Sequence, residues 1–121
     1  MGWKVTIRTG PRVARERYEV LDQALDAVEA HGRELAKSTH TDAVDVRVKR
    51  FDPVQQVSAR IELSGPQRLV PKVRGGVDVR GDGSTEAYLG RVQREVVKQR
   101  KGESAFSALR RAVSNANEER E

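Results

Sequence analysis

Cysteine is absent from this 121-residue chain, which excludes disulfide bonds and thiolate metal sites. A cysteine-free composition is compatible with a reducing cytosol, and we expect a cytoplasmic protein. No apolar run approaches the roughly 20 residues of a membrane-spanning helix, and the first ten residues have no apolar signal core. The composition therefore predicts neither a membrane partner nor a thiolate-bound metal.

Sequence motifs of catalysis are also missing. The two histidines, His31 and His40, lack a second histidine at ligand spacing. The chain contains no GxSxG nucleophile elbow, no GxxxxGK[ST] phosphate loop and no GxGxxG dinucleotide motif. RGDG at 80–83 is interpreted as a structural turn. These absences predict a non-catalytic protein without a metal or cofactor site.

What the sequence does have is charge. Charged residues make up 34% and hydrophobic residues 36% of the chain, with a net charge of +5 and a pI near 10.0. The apolar residues are periodic, which indicates a folded domain rather than a disordered chain. We expect a single domain over residues 1–115 and a polar tail over 116–121. The positive excess favours an acidic partner, either nucleic acid or an acidic protein surface.

Alternation of apolar and polar residues predicts the strands, and 3.6-residue periodicity predicts the helices. The expected fold class is α+β, an antiparallel sheet of four or five strands with two to three helices packed on one face. The expected order is ββ-α-ββ-β-α-α. The strands are expected over 3–8, 13–20, 44–50, 57–63 and around Val77 and Val79, and the helices over 22–37, 84–101 and from 104 onward.

A basic stripe follows from the helix predicted over 84–101. If Leu89, Val92 and Val96 face the core, the opposite side of that helix carries a row of cations. An amphipathic helix also needs a charged side merely for solvation, and that alternative stays open. The stripe comprises Arg91, Arg94, Lys98 and Lys101, and Arg110, Arg111, Arg47, Lys49 and Arg60 are candidates to extend it.

The predicted function is a non-catalytic binding module that docks this basic helix face on nucleic acid. We expect recognition through the phosphates rather than the bases, because the few aromatic residues are needed for packing. The nucleic acid is expected to be RNA rather than DNA. The alternative is a protein-interaction or self-associating domain. In a homodimer, either the acidic segment 19–45 would pair with the basic side of a second copy, or an exposed strand edge would pair with that of a second copy.

In layout, residues 44–101 resemble the small ribosome-associated stress and hibernation factors with a β-α-β-β-β-α fold. VDVRVKRFDPVQQVSARIELSGP is similar to their central hairpin, and VDVRGDGSTEAYLGRVQREVVKQRKG to their last strand and long basic helix. The acidic first helix, the additional strand VARERYEV and the helix over 103–117 depart from that family. The resemblance implies contacts with RNA of the small ribosomal subunit through Arg91, Arg94, Lys98 and Lys101.

Overall fold

Six antiparallel strands form one sheet in the computed structural model, which describes residues 2–45, 57–66, 73–90 and 93–119. The strands lie in the order β2-β1-β3-β4-β5-β6, and two helices pack on one face. The α+β class is confirmed, with one strand more than the predicted maximum. The elements are β1 (Trp3–Thr9), β2 (Arg12–Tyr18), α1 (Leu21–Asp45), β3 (Val57–Gly65), β4 (Val73–Arg80), β5 (Thr85–Leu89), β6 (Glu95–Val96) and α2 (Ala105–Glu119).

The strand register places the apolar residues of neighbouring strands on the same face. Val5 of β1 lies opposite Leu63 of β3, and Ile61 of β3 lies opposite Val77 of β4. Directly opposed residues of an antiparallel pair point to the same side. The alternation predicted for residues 3–8 and 57–63 is therefore confirmed, whereas the strand predicted over 13–20 ends at Tyr18 and leaves Val20 exposed.

The core lies between this apolar face and the two helices. Helix α1 packs on β1, β3 and β4, whereas α2 packs on β4 and β5. The stripe predicted for the last helix is confirmed, because its apolar residues are buried. The largest fully buried side chains are those of Ile61, Leu63, Leu109, Val5, Val28, Val77, Val79 and Val113.

Gly32 marks the contact between the two helices. A Cβ atom at this position would lie 2.6 Å from Cζ of Phe106, which is itself buried. Real Cβ atoms do not approach so closely, so only glycine lets the Phe106 ring pack against α1 in this position. The helical cost of a mid-helix glycine, about 1 kcal/mol relative to alanine, is therefore offset by close packing.

The helix predicted over 84–101 is wrong. Thr85–Leu89 is a strand on the edge of β4, and Glu95–Val96 pairs with it in turn. The Gly83 N–H donates to the Arg80 carbonyl at 2.9 Å, so the RGDG segment closes the β4–β5 hairpin. Pairing with β4 buries Ala87 and Tyr88, and this tertiary gain outweighs the helical propensity of the segment.

Two other boundaries differ from the prediction. Helix α1 continues to Asp45, so residues 44 and 45 are helical where a strand was predicted. The remainder of that predicted strand, 46–50, lies outside the described residues. Helix α2 continues to Glu119, so residues 116–119 of the predicted tail are helical, and Ala116 packs against the core. Neither helix, over its described residues, is long and apolar enough to cross a bilayer.

Candidate functional site

The predicted basic stripe does not exist as a helix face. Arg94 lies between β5 and β6, while Lys98 and Lys101 are exposed in the non-helical segment that leads to α2. Arg91 lies outside the described residues, as do Arg47 and Lys49. The spacing that aligned these cations in the sequence therefore does not bring them together along one element.

Arg110 is occupied within the chain. Its guanidinium donates to the Oδ1 atoms of Asp22 at 3.3 Å and Asp26 at 2.6 Å, both on α1. These contacts join the two helices across the outer layer of the molecule. The acids of the first helix thus already compensate one of the cations predicted to bind nucleic acid.

Arg111 is engaged as well. It donates from Nε and Nη2 to the two carboxylate oxygens of Glu103 at 3.0 Å, and from Nη2 to the Lys98 carbonyl at 3.0 Å. The Arg111 guanidinium, together with the Arg100 N–H, holds the pKa of Glu103 at about 2. This cluster fastens the segment before α2 to the helix, which is a structural role.

The largest concentration of cations in the described chain lies on the sheet face opposite the helices. Even-numbered residues of β1, β3 and β4 point there, with the odd-numbered residues of β2 that lie opposite them. No described helix covers this face. We call it the basic face, and its cations are Lys4, Arg8, Arg15, Arg17, Arg60, Arg74, Arg80 and Arg94, against the carboxylates Glu62, Asp78 and Glu86.

Each of the three carboxylates on the basic face is engaged by an arginine. Arg8 donates to Glu62, and Arg80 donates to Glu86 at 2.5 Å. Arg60 holds Asp78 with two hydrogen bonds, Nε to Oδ1 at 2.5 Å and Nη2 to Oδ2 at 3.3 Å. The carboxylates are therefore committed to their own partners.

Four cations of the basic face form no ion pair with any described residue: Lys4, Arg15, Arg17 and Arg74. Lys4 on β1 lies directly opposite Arg17 on β2. Like charges in directly opposed positions destabilise a sheet by about 0.2–1 kcal/mol. An anion bound between them would relieve this repulsion. The face therefore has unsatisfied positive charge at one end, around β2, β1 and the start of β4.

Tyr88 forms the floor of the basic face and is not an exposed stacking platform. Its ring lies across β4, where a Cβ atom at Gly76 would lie 2.7 Å from the Tyr88 hydroxyl. The guanidinium carbons of Arg94 and Arg60 lie 4.9 Å and 5.8 Å from the ring centroid. Only 5% of Tyr88 is exposed, and burial raises the pKa of its hydroxyl to about 12.

A depression of about 300 Å³ opens in this face beside Tyr88. Thr6 and Ser64 contribute hydroxyl groups to its lining, and the charged lining is mostly basic. The only carboxylate among its described lining residues is Glu62, which Arg8 engages. Its cationic lining residues are Lys4, Arg8, Arg15, Arg74 and Arg94. The arrangement can therefore bind an anion, and the depression is large enough for a small ligand or one unit of a polymer.

The opposite side of the molecule has the reverse charge. The exposed surface of α1 carries Asp22, Asp26 and Glu34, and Glu29 is half-buried beside Arg33. Arg110 contacts Asp22 and Asp26, and Arg33 contacts Glu29, so the negative excess on this side is small. The basic face therefore attracts a polyanion more strongly than this side does. The molecule is thus electrically two-sided, which fixes the side on which an anionic partner can dock.

Of the predicted site residues that the structure describes, only Arg94 and Arg60 lie on the basic face. The outward positions of β1, β2 and β4 were missed, although Lys4, Thr6 and Arg8 alternate plainly with buried neighbours. Comparison with protein-family models, curated proteins and solved structures finds no match to this chain. The resemblance to hibernation factors therefore remains a prediction, although the described residues of 84–101, where it implied a long basic helix, are not helical.

Proposed function

We propose that this chain is a non-catalytic nucleic-acid-binding module that lays its basic face on the phosphate backbone of RNA. One observation carries the proposal: Lys4, Arg15, Arg17 and Arg74 are gathered on the side of the sheet opposite α1 and α2, without an acidic partner among the described residues. The difference in charge between the two sides orients the complex, since within the described chain the basic face has unpaired cations and the acids of α1 are mostly paired with arginines.

RNA is favoured over duplex DNA by the shape of the surface. Sequence readout in B-form DNA requires an element that enters the major groove. Here the cations lie on a broad sheet face, and strands spaced about 4.8 Å apart give six strands a width of about 25 Å. A single-stranded or looped RNA can lay its backbone across such a face. The resemblance to hibernation factors makes ribosomal RNA the first structured RNA to test.

Binding through four phosphate contacts has a measurable salt dependence. Each cation that neutralises a phosphate releases condensed counterions, so four contacts with a single strand predict a log–log slope of about −3. Recognition of this kind is weakly selective for sequence, because phosphates carry no base information. Fluorescence anisotropy with a labelled 20-nucleotide RNA, titrated at several salt concentrations, gives this slope directly.

A matched pair of triple variants tests the location of the site. Changing Lys4, Arg15 and Arg74 to Gln removes three charges from the basic face. Changing Lys98, Arg100 and Lys101 to Gln removes the same net charge from the segment before α2. We expect the first triple variant to lose about 100-fold or more in RNA affinity and the second to lose less than about threefold.

Three results would contradict the proposal. Equal losses in both variants would indicate attraction by net charge alone, without a site on the basic face. A larger loss in the second variant would move the site to the segment over 97–104. Failure of the parent protein to bind any RNA at 50 mM salt would reject the function itself. Circular dichroism of each variant shows whether the fold is retained.

A further inference from the structure

Two buried residues that line the depression carry hydroxyl groups without a hydrogen-bond partner among the described residues. Thr6 is 6% exposed and Ser64 is 8% exposed, and both line the depression. Neither side chain forms a hydrogen bond with any residue that the structure describes. Buried polar groups are almost always hydrogen-bonded, so an unpartnered pair in the lining of an open depression points to a bound ligand.

The strand register places cations beside both hydroxyls. Ser64 on β3 lies between Lys4 on β1 and Arg74 on β4, because both are its direct cross-strand partners. Thr6 lies between Arg15 of β2 and Glu62 of β3. Opposed side chains in an antiparallel pair have Cβ atoms about 5 Å apart, and the two hydroxyl residues and the three cations line one depression. The donors are thus two neutral hydroxyls and three cations.

This donor set fits a phosphate monoester. Such a group carries close to two negative charges at neutral pH and presents three strong acceptor oxygens. An internal phosphodiester presents only two non-bridging oxygens and is flanked by nucleotides on both sides. A depression of about 300 Å³ has room for one terminal unit and not for a continuous strand. The Glu62 carboxylate also borders the depression, but Arg8 engages it.

We propose that the depression is a seat for the terminal phosphate of a nucleic-acid strand, held by Lys4, Thr6, Ser64 and Arg74. The proposal rests on the function proposed above and deepens it, since it names which part of the ligand is recognised. The remaining cations of the basic face then follow the backbone away from the seated end. The protein distinguishes end-phosphorylated from hydroxyl-ended strands.

A set of 12-nucleotide RNAs of one sequence tests the seat. The strands carry a 5′-phosphate, a 3′-phosphate or hydroxyls at both ends, and their affinities are measured by competition against a labelled strand. We expect one phosphorylated strand to bind about tenfold more tightly than the hydroxyl-ended strand, because the added contacts are charge-assisted hydrogen bonds. The preferred end identifies the polarity of the bound strand.

The variants Ser64→Ala and Thr6→Val remove one donor each with little change of shape. We expect both to lower affinity for the phosphorylated strand more than affinity for the hydroxyl-ended strand, so that the preference falls from about tenfold to about threefold or less. Circular dichroism checks that the buried substitutions are tolerated. The parent protein provides a test without any substitution, since its preference should decline as the pH falls through about 6, where the second phosphate proton is taken up.

Equal affinity of the parent for all three strands overturns the seat and leaves the proposed function intact. Absence of binding to every strand overturns both. Inorganic phosphate and a 5′-mononucleotide serve as competitors that separate the sources of the phosphate. If inorganic phosphate displaced the labelled strand at concentrations as low as those of the phosphorylated strand, the depression would be a site for free phosphate. The strand-end proposal would then be wrong.

Discussion

The two faces of the sheet consist of alternate residues of the same strands, but folding restricts the residue types on them differently. Val5, Ile61 and Val77 on the covered face are buried by the helices, and their apolar character is required for folding. Folding imposes no such requirement on the exposed positions of the opposite face, where any polar residue would serve. Its cations are therefore more informative about function than the core is.

Two groups of arginines differ in whether the fold gives them an acidic partner. Arg110 and Arg111 each contact a carboxylate of their own chain, and these contacts join elements of the fold. Arg15, Arg17 and Arg74 on the basic face have no such contact among the described residues. Arginines that look equivalent in the sequence thus have different roles. The role depends on which acidic residues the fold brings near each one.

The largest expected effect is the difference in stability lost when a valine is truncated on the covered face and on the basic face. Val77→Ala removes two methyl groups from a fully buried site, and we expect a loss of about 2–3 kcal/mol in the free energy of unfolding. Val13→Ala on the basic face is the matched control, because Val13 is also a strand valine but is 41% exposed. Its loss should stay below about 1 kcal/mol. Urea denaturation of both variants measures the difference, and similar losses would contradict the assignment of the core.

A smaller effect concerns the ion pair between Arg111 and Glu103. The pKa of Glu103 is about 2 in the folded state, below its value of 4.5 in the absence of neighbours. A depressed pKa contributes stability that is fully present above about pH 5 and is lost as the pH falls through about 4.5 toward 2. We expect Glu103→Gln to be less stable than the parent at pH 7, with the difference shrinking as the pH approaches 2.

Thermal denaturation between pH 2 and pH 7 checks this prediction. Glu34→Gln, which removes an exposed carboxylate of α1 that forms no ion pair with the described residues, is the control and should keep the parent profile. Parallel profiles of the parent and Glu103→Gln across the whole range would show that the Glu103–Arg111 pair does not contribute to stability.

The smallest expected effect has the opposite sign. Lys4→Gln removes one member of the like-charge pair with Arg17, and we expect the free protein to gain about 0.2–1 kcal/mol at low salt. At 1 M salt the gain should disappear, because the Debye length falls to about 3 Å. Lys98→Gln, an exposed cation outside the basic face, should show no gain. A stability loss in Lys4→Gln at low salt would contradict unrelieved repulsion on the basic face.

The sequence alone predicted those elements whose periodicity admits one interpretation. Trp3, Val5 and Ile7 alternate over a whole strand, and Phe106, Leu109 and Val113 recur at helical spacing over a whole helix. Residues 85–96 fit both periods, because Leu89, Val92 and Val96 suit a helix while Ala87 and Leu89 suit a strand. Pairing with the free edge of β4 selects the strand, and this long-range contact cannot be recognised from the sequence of the segment itself.

Two signals in the segment favoured the strand. Gly90 adopts a φ of +94°, a conformation that interrupts a helix, and Val96 and Val97 are adjacent β-branched residues, which favour strands. The basic face was unpredictable for a different reason. Its outward residues were each recognisable, but assembling them requires the knowledge that β1 lies between β2 and β3, and that order comes from long-range pairing.

The two edge strands of the described sheet, β2 and β6, both resist pairing with another chain. At one margin, β2 exposes Arg12, Arg15 and Arg17, and at the other, β6 is only two residues long. A second chain adding to β2 would bring its own row of arginines against the first, and β6 offers almost no backbone length for pairing. Lateral growth into fibrils or edge-joined dimers is therefore opposed by electrostatic repulsion on one side and by lack of hydrogen-bonding partners on the other.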